Sequence, residues 1–327
     1  MAVTRIGTLS AALLSSIAYY DEADQPAQKA AMASALASIQ APVNGPWTLT
    51  WGPATNDGVL GFVARGADGT YALALRGTLT SWDAKGLFGN ISADVDALAV
   101  VPFLYPQSAG ANIAAGSNDA LALLVAAVDP DTGFSLIDYL RALAAGQGAK
   151  LTIAVVGHSL GGDLANLAAA WLVDQMPKTA PVQLAVTPYT FAAPTTGDQG
   201  FANLWNGLFG GASYAAVNGI DIVPMAWNQL GTIEYSYGPQ NGPTLENYSS
   251  TLYWIVIPGA QAYLSANDIA YVPLTPSDPD PFTGPAFLPQ YDWADCAAQQ
   301  HGLTSAYIPH VWFGWGGDVS ALPPPGP

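Results

Sequence analysis

Gly157-His158-Ser159-Leu160-Gly161 sets a serine between two glycines, each two residues away. On a tight turn, side chains at those two places would collide with the neighbouring strand and helix, so glycine is the residue that fits. The flanks suit such a turn. Leu151 to Val156 is an apolar run of strand length, and an apolar helical pattern continues from the turn to about Gln175. This strand–turn–helix projects the Ser159 Oγ at the top of a sheet and turns a helix N-terminus toward developing negative charge. The chemistry is nucleophilic acyl transfer, with the backbone N–H of Leu160 as half of an oxyanion hole. His158 adjoins the serine on the turn and projects away from it. It is expected to pack beneath the turn rather than act as the base.

A serine nucleophile of this kind needs a histidine base oriented by an acid, in the chain order serine, acid, histidine. Downstream of Ser159 the histidines are His301 and His310. His301 follows a helical stretch and is the preferred base. His310 lies in the apolar segment Ile308-Pro309-His310-Val311-Trp312, read as a terminal strand or turn with a hydrogen-bonded structural histidine. For the acid, Asp221 ends a strand-like run just before Pro224. Its rivals Asp198, Asp268, Asp278, Asp280 and Asp292 fall mostly in polar or Pro-rich loops.

The elements that must position these groups follow from hydrophobic periodicity. Helical patterns cover about 8–20, 26–39, 118–128 and 135–145. Strand-like runs cover Trp47 to Trp51, Val59 to Ala64, Tyr71 to Leu75, Leu151 to Val156, Val182 to Ala192 and Tyr214 to Val217. A short helix is expected at Gly200 to Leu208. Strands mingled with helices at this spacing predict an α/β sheet, largely parallel in its middle. Segment 238–290 differs: a strand is expected at Leu252 to Ile257, and the proline-dense run Pro273 to Pro289 suggests an ordered surface loop or lid element.

Composition narrows the function. Half of the 327 residues are apolar and only 10% are charged, which excludes a disordered acidic chain. The net charge of -16 repels phosphate backbones, so no nucleic-acid partner is expected. Cys296 is the single cysteine and there are three histidines, which argues against a disulfide and against a zinc site. No metal or organic cofactor is expected. No run of about 18 apolar residues is present to span a bilayer. Arg5 with Leu9 to Ala18 makes a thin signal-like pattern, and an amphipathic helix is the preferred reading. Secretion and a cytoplasmic location both stay open, as does oligomeric state.

Together these segments resemble the class 3, or fungal-type, lipase family of α/β-hydrolases. Arg76-Gly77-Thr78 matches the family's R-G-T/S segment, with Trp82 and Asp83 after it; Gly157 to Gly162 matches its G-H-S-L-G-G turn. Phe191-Ala192-Ala193-Pro194, with Gly197 and Phe201, matches a third segment, and Asp221-Ile222-Val223-Pro224 matches D-x-V-P. The resemblance implies an α/β-hydrolase fold over a single domain, 1–327, with a lid within 79–105 and an insertion at 238–290. It implies a triad of Ser159, Asp221 and His301, and Thr78 as the second oxyanion-hole residue. It also implies a lipase or esterase acting on neutral acylglycerols or related esters, with transient contact at a lipid interface. Two departures stand out. Thr195 and Thr196 replace the family's usual arginine, and 80 residues separate Asp221 from His301. A phospholipase effector and a catalytically inactive binding protein are the alternatives on this scaffold.

Overall fold

The computed structural model describes residues 6–39, 45–77, 99–105, 110–147, 151–176, 184–233, 257–286 and 293–314. Its centre is a seven-stranded sheet in the order β1-β2-β3-β6-β7-β8-β9. The strands are β1 (Thr48–Asn56), β2 (Val59–Arg65), β3 (Tyr71–Leu75), β6 (Leu151–His158), β7 (Leu184–Phe191), β8 (Tyr214–Asn218) and β9 (Asp278–Phe282). The first three pair antiparallel. From β3 onward every pairing is parallel. β4 (Val100–Pro102) and β5 (Asn112–Ala114) form a separate antiparallel pair.

Side chains of successive strand residues alternate between faces, and at Ala72–Leu75 and Ile153–Val155 the alternation places the larger residues on one face. Leu73, Leu75, Ile153 and Val155 point to one face. There they meet α3 (Ala115–Ala126), α4 (Leu136–Gln147), α5 (Leu160–Gln175) and α6 (Gln199–Phe209). Ala72, Ala74 and Ala154 point to the other face. These small residues let α1 (Thr8–Ile17) lie close against the sheet, and α1 in turn is buried nearly all round, at Leu9, Ala11, Ala12, Leu13, Leu14 and Ile17. A helix apolar on every side is a core helix. α2 (Gln25–Ser38), N-capped by Asp24 through Ala27 N–H, adds Met32 and Leu36 to the same layer.

Two segments depart from the expectation. The proline-dense run is neither loop nor lid over its middle: Asp278–Phe282 is the edge strand β9, in register with β8 from Tyr214↔Asp278 to Asn218↔Phe282. Pro279 and Pro281 alternate with ladder residues, so the positions without an N–H are kept to the side of the strand facing away from β8. Ile257, expected to close a strand, instead opens α8 (Ile257–Ala266), which follows α7 (Leu230–Ile233). The expected strand's other residues lie outside the described residues. So do residues 79–98 of the lid candidate, whereas 100–102 form β4. The chain ends its described part with α9 (Trp293–His301), a π-helical turn at Leu303–Tyr307 and α10 (Ile308–Gly314). His310 therefore sits on a helix rather than a strand.

Candidate active site

β6 runs directly into the serine turn. Ser159 has φ +59° and ψ −134°, a conformation that costs a side-chain-bearing residue of order 1–3 kcal/mol and persists only where the surroundings over-determine it. The surroundings do so. A Cβ on Gly157 would lie 2.0 Å from the Gly161 carbonyl oxygen, and one on Gly161 would lie 2.4 Å from that of Leu75. The turn is thus clamped between β3 and its own helix, and Ser159 N–H donates to the Phe191 carbonyl at 2.9 Å. Leu160 is the first residue of α5, where backbone N–H groups have no intrahelical acceptor. Its side chain is 45% exposed beside the buried serine, an apolar surface at the mouth of the turn. Gly77 packs against the same turn, its position for a Cβ lying 3.2 Å from Gly161 N. Thr78, the next residue, lies outside the described residues.

His301 and Asp221 meet although 80 residues separate them. The His301 Nδ1 lies 2.8 Å from the Asp221 Oδ2, with both side chains withdrawn from solvent. Asp221 follows β8 by three residues and accepts two further bonds, from the Tyr307 hydroxyl to Oδ2 at 2.7 Å and from Val223 N–H to Oδ1 at 2.9 Å. His301 closes α9. The ring of His158 links this pair to the nucleophile's turn. Its centroid is 4.7 Å from that of His301, and its Nε2–H donates to the His301 carbonyl at 2.7 Å.

The structure separates these residues from their rivals. His310 bonds Asp280 at 2.9 Å and stacks on Phe282 at 3.9 Å, pinning α10 to the sheet edge as a structural histidine would. Asp280 also accepts from the Tyr214 hydroxyl. Asp198 caps α6 through Phe201 N–H and holds Asn112. Asp268 and Asp278 are exposed. Asp292 lies outside the described residues. Sequence reasoning missed Asn218, whose amide binds Gln300 beside His301 and also receives the Gly284 N–H, and it assigned no role to Tyr307. Both contacts join residues more than 60 positions apart, a distance at which spacing carries no signal. A cavity of about 380 Å³ borders Asp221, Pro194, Trp205, Met225, Leu274 and Pro281, and Ser159 and His301 do not line it.

Residues 73–230 match the family model for class 3 lipases. This stretch runs from β3 through the serine turn to just beyond Asp221. The match supports an ester-hydrolysing serine hydrolase on an α/β-hydrolase fold. Its fold is similar to that of M37 lipase, at a TM-score of 0.79 and 22% identity, covering 95% of either chain. It is also similar to a triacylglycerol lipase described as having a serine protease triad, at a TM-score of 0.50 and 22% identity, over 67% of this chain and 72% of that one. Among curated proteins no sequence relative matches. Among the described residues no helix is long and apolar enough to cross a membrane.

Proposed function

We propose that Ser159, His301 and Asp221 are the catalytic triad of one lipase-type domain, and that the backbone N–H groups of Leu160 and Thr78 form its oxyanion hole. The observation that carries this reading is the buried His301–Asp221 pair, joined at 2.8 Å and held against the serine turn by His158. In the reaction His301 takes the Ser159 proton as Oγ attacks the ester carbonyl, and Asp221 receives Nδ1–H and stabilises the imidazolium. The tetrahedral oxyanion is met by N–H donors at the start of α5. His301 then returns the proton to the leaving alcohol, and water attacks the acyl-enzyme by the same path in reverse. No step calls on a metal or an organic cofactor.

Neutral acylglycerols or related esters are the substrate class this surface suits. A net charge of -16 disfavours approach to anionic bilayers and repels carboxylate product, whereas a neutral ester meets no such barrier. The test is hydrolysis of p-nitrophenyl esters from C2 to C16 by the wild type and by Ser159→Ala. The rate is expected to fall at least about 10³-fold in the variant, as removing a triad member does. A Ser159→Ala rate equal to that of the wild type removes the triad assignment. The chain-length optimum separates an esterase from a lipase, and neutral against anionic vesicles tests the substrate class.

A further inference from the structure

We propose that His158, backed by Tyr19, is a positioning residue for the base: its imidazole ties the main chain of His301 to the nucleophile's own turn. The inference rests on the triad reading above. Packing alone asks of residue 158 only a ring of the right size. The geometry asks for more. Nε2 lies 2.7 Å from the His301 carbonyl oxygen, which only accepts, so Nε2 carries the proton. That leaves Nδ1 as an acceptor, 3.1 Å from the Tyr19 hydroxyl, whose single proton is shared between Nδ1 and the His158 carbonyl oxygen, also at 3.1 Å. The Nε2–H bond fixes the tautomer, and the Tyr19 hydroxyl braces the opposite edge of the ring. Tyr19 follows α1, whose apolar sides are buried in the core, and its N–H donates to the Ser16 carbonyl at 3.1 Å.

The consequence concerns distance. Residues 158 and 301 are 143 positions apart, yet one hydrogen bond fixes the base's backbone to the residue next to the nucleophile. Beside the contacts through Asp221 and Asn218, which reach His301 by way of β8, this bond links the base directly to the nucleophile's turn. Displacements of about 1 Å in such an arrangement cost on the order of 100-fold in rate. Burial, and next to it the neighbouring His301, hold the His158 ring well below the usual imidazole pKa. It thus stays uncharged while His301 cycles through its imidazolium, and the tether adds no repulsion to the step it supports.

The experiment compares kcat, KM and Tm of wild type, His158→Leu, His158→Gln and Tyr19→Phe on p-nitrophenyl butyrate, with Ser159→Ala as control. His158→Leu removes the donor and is expected to lower kcat on the order of 10- to 100-fold with KM held within about twofold. His158→Gln sets an amide N–H where Nε2 stood and is expected to recover most of that loss at a Tm matching His158→Leu. Tyr19→Phe frees the ring's far side and is expected to lower kcat by about three- to tenfold, again without a change in KM. The proposal is overturned if His158→Leu keeps kcat within about threefold of wild type, or if folded His158→Gln is as slow as His158→Leu. Should His158→Leu not fold, wild-type kcat in Tyr19→Phe together with a KM-driven loss in His158→Gln overturns it. An active Ser159→Ala removes the triad reading and the tether with it. An inert Ser159→Ala beside an unimpaired His158→Leu removes the tether alone.

Discussion

Asp163 and Asp221 are both buried carboxyls, one a single turn along α5 from the nucleophile, the other just past β8. Burial strips water from each. What replaces the water differs. Asp221 receives His301 Nδ1, the Tyr307 hydroxyl and Val223 N–H, so both oxygens are engaged. Asp163 takes the Ser117 hydroxyl on Oδ2, and Oδ1 accepts no well-formed hydrogen bond. Desolvation pushes the Asp163 carboxyl up to about 6, and the hydroxyls of Ser117 and Thr196 offset only part of it. Even the first-turn position on α5, where a helix dipole welcomes negative charge, does not compensate. Burial does not make a carboxylate useful to an imidazole; converging donors do.

The largest effect expected from that contrast is at Asp221. Asp221→Asn keeps the shape and loses the acceptor that fixes the tautomer of His301, so kcat should fall on the order of 10³- to 10⁴-fold in steady-state ester hydrolysis. Asp163→Asn should leave kcat within about threefold, since among the described residues that carboxyl bonds Ser117 rather than the base. If the two variants were equally slow, the contrast would collapse.

Asp163→Asn should act on stability instead, and its sign follows from the raised pKa. The unfolded chain releases this proton near 3.8, whereas the folded chain keeps it until about 6. Between those values stability falls as pH rises, and above about 6 the whole cost is present. A displacement of this size corresponds to roughly 3 kcal/mol, an order-of-magnitude figure for a fully buried group. The variant should therefore unfold at higher urea than wild type at pH 7.5, with the advantage shrinking toward pH 4. An advantage that does not change with pH would mean that Asp163 is not the titrating group.

Much of this was legible before any coordinates, for identifiable reasons. The glycines around Ser159 are a steric requirement of the turn, so residue type and spacing carry the information. β3 and β6 announce themselves as apolar runs because they lie inside a sheet covered on both faces. β9 did not, because Asp278-Pro279-Asp280-Pro281 looks like a chain of breakers. Only the knowledge that it lies at the sheet edge makes alternate prolines tolerable. α10 was hidden for a related reason: Pro309 suggests a break, yet proline is at home in a helix's first turn. The donors around Asp221 and the bond from His158 to His301 were out of reach, since each joins elements that meet only after the sheet has formed.

The smallest of these effects sharpens the comparison from the other side, by moving Asp221 one step toward the condition of Asp163. Tyr307→Phe keeps the ring, which packs edge-on against Phe282 at 5.1 Å and near His158 at 5.8 Å. It deletes only a hydroxyl that donates to Asp221 and accepts from Asn218 N–H at 3.2 Å. One bond to the carboxylate is lost and one buried N–H is left without an acceptor, at a cost of about 1–2 kcal/mol. Two donors remain on Asp221, so catalysis should slow only about three- to tenfold, with KM unchanged. Urea unfolding at pH 7.5 and steady-state kinetics read the two consequences separately. If Tyr307→Phe leaves both stability and kcat at wild-type values, the number of donors is not what distinguishes the two buried carboxyls. The contact with His301 alone would then set Asp221 apart.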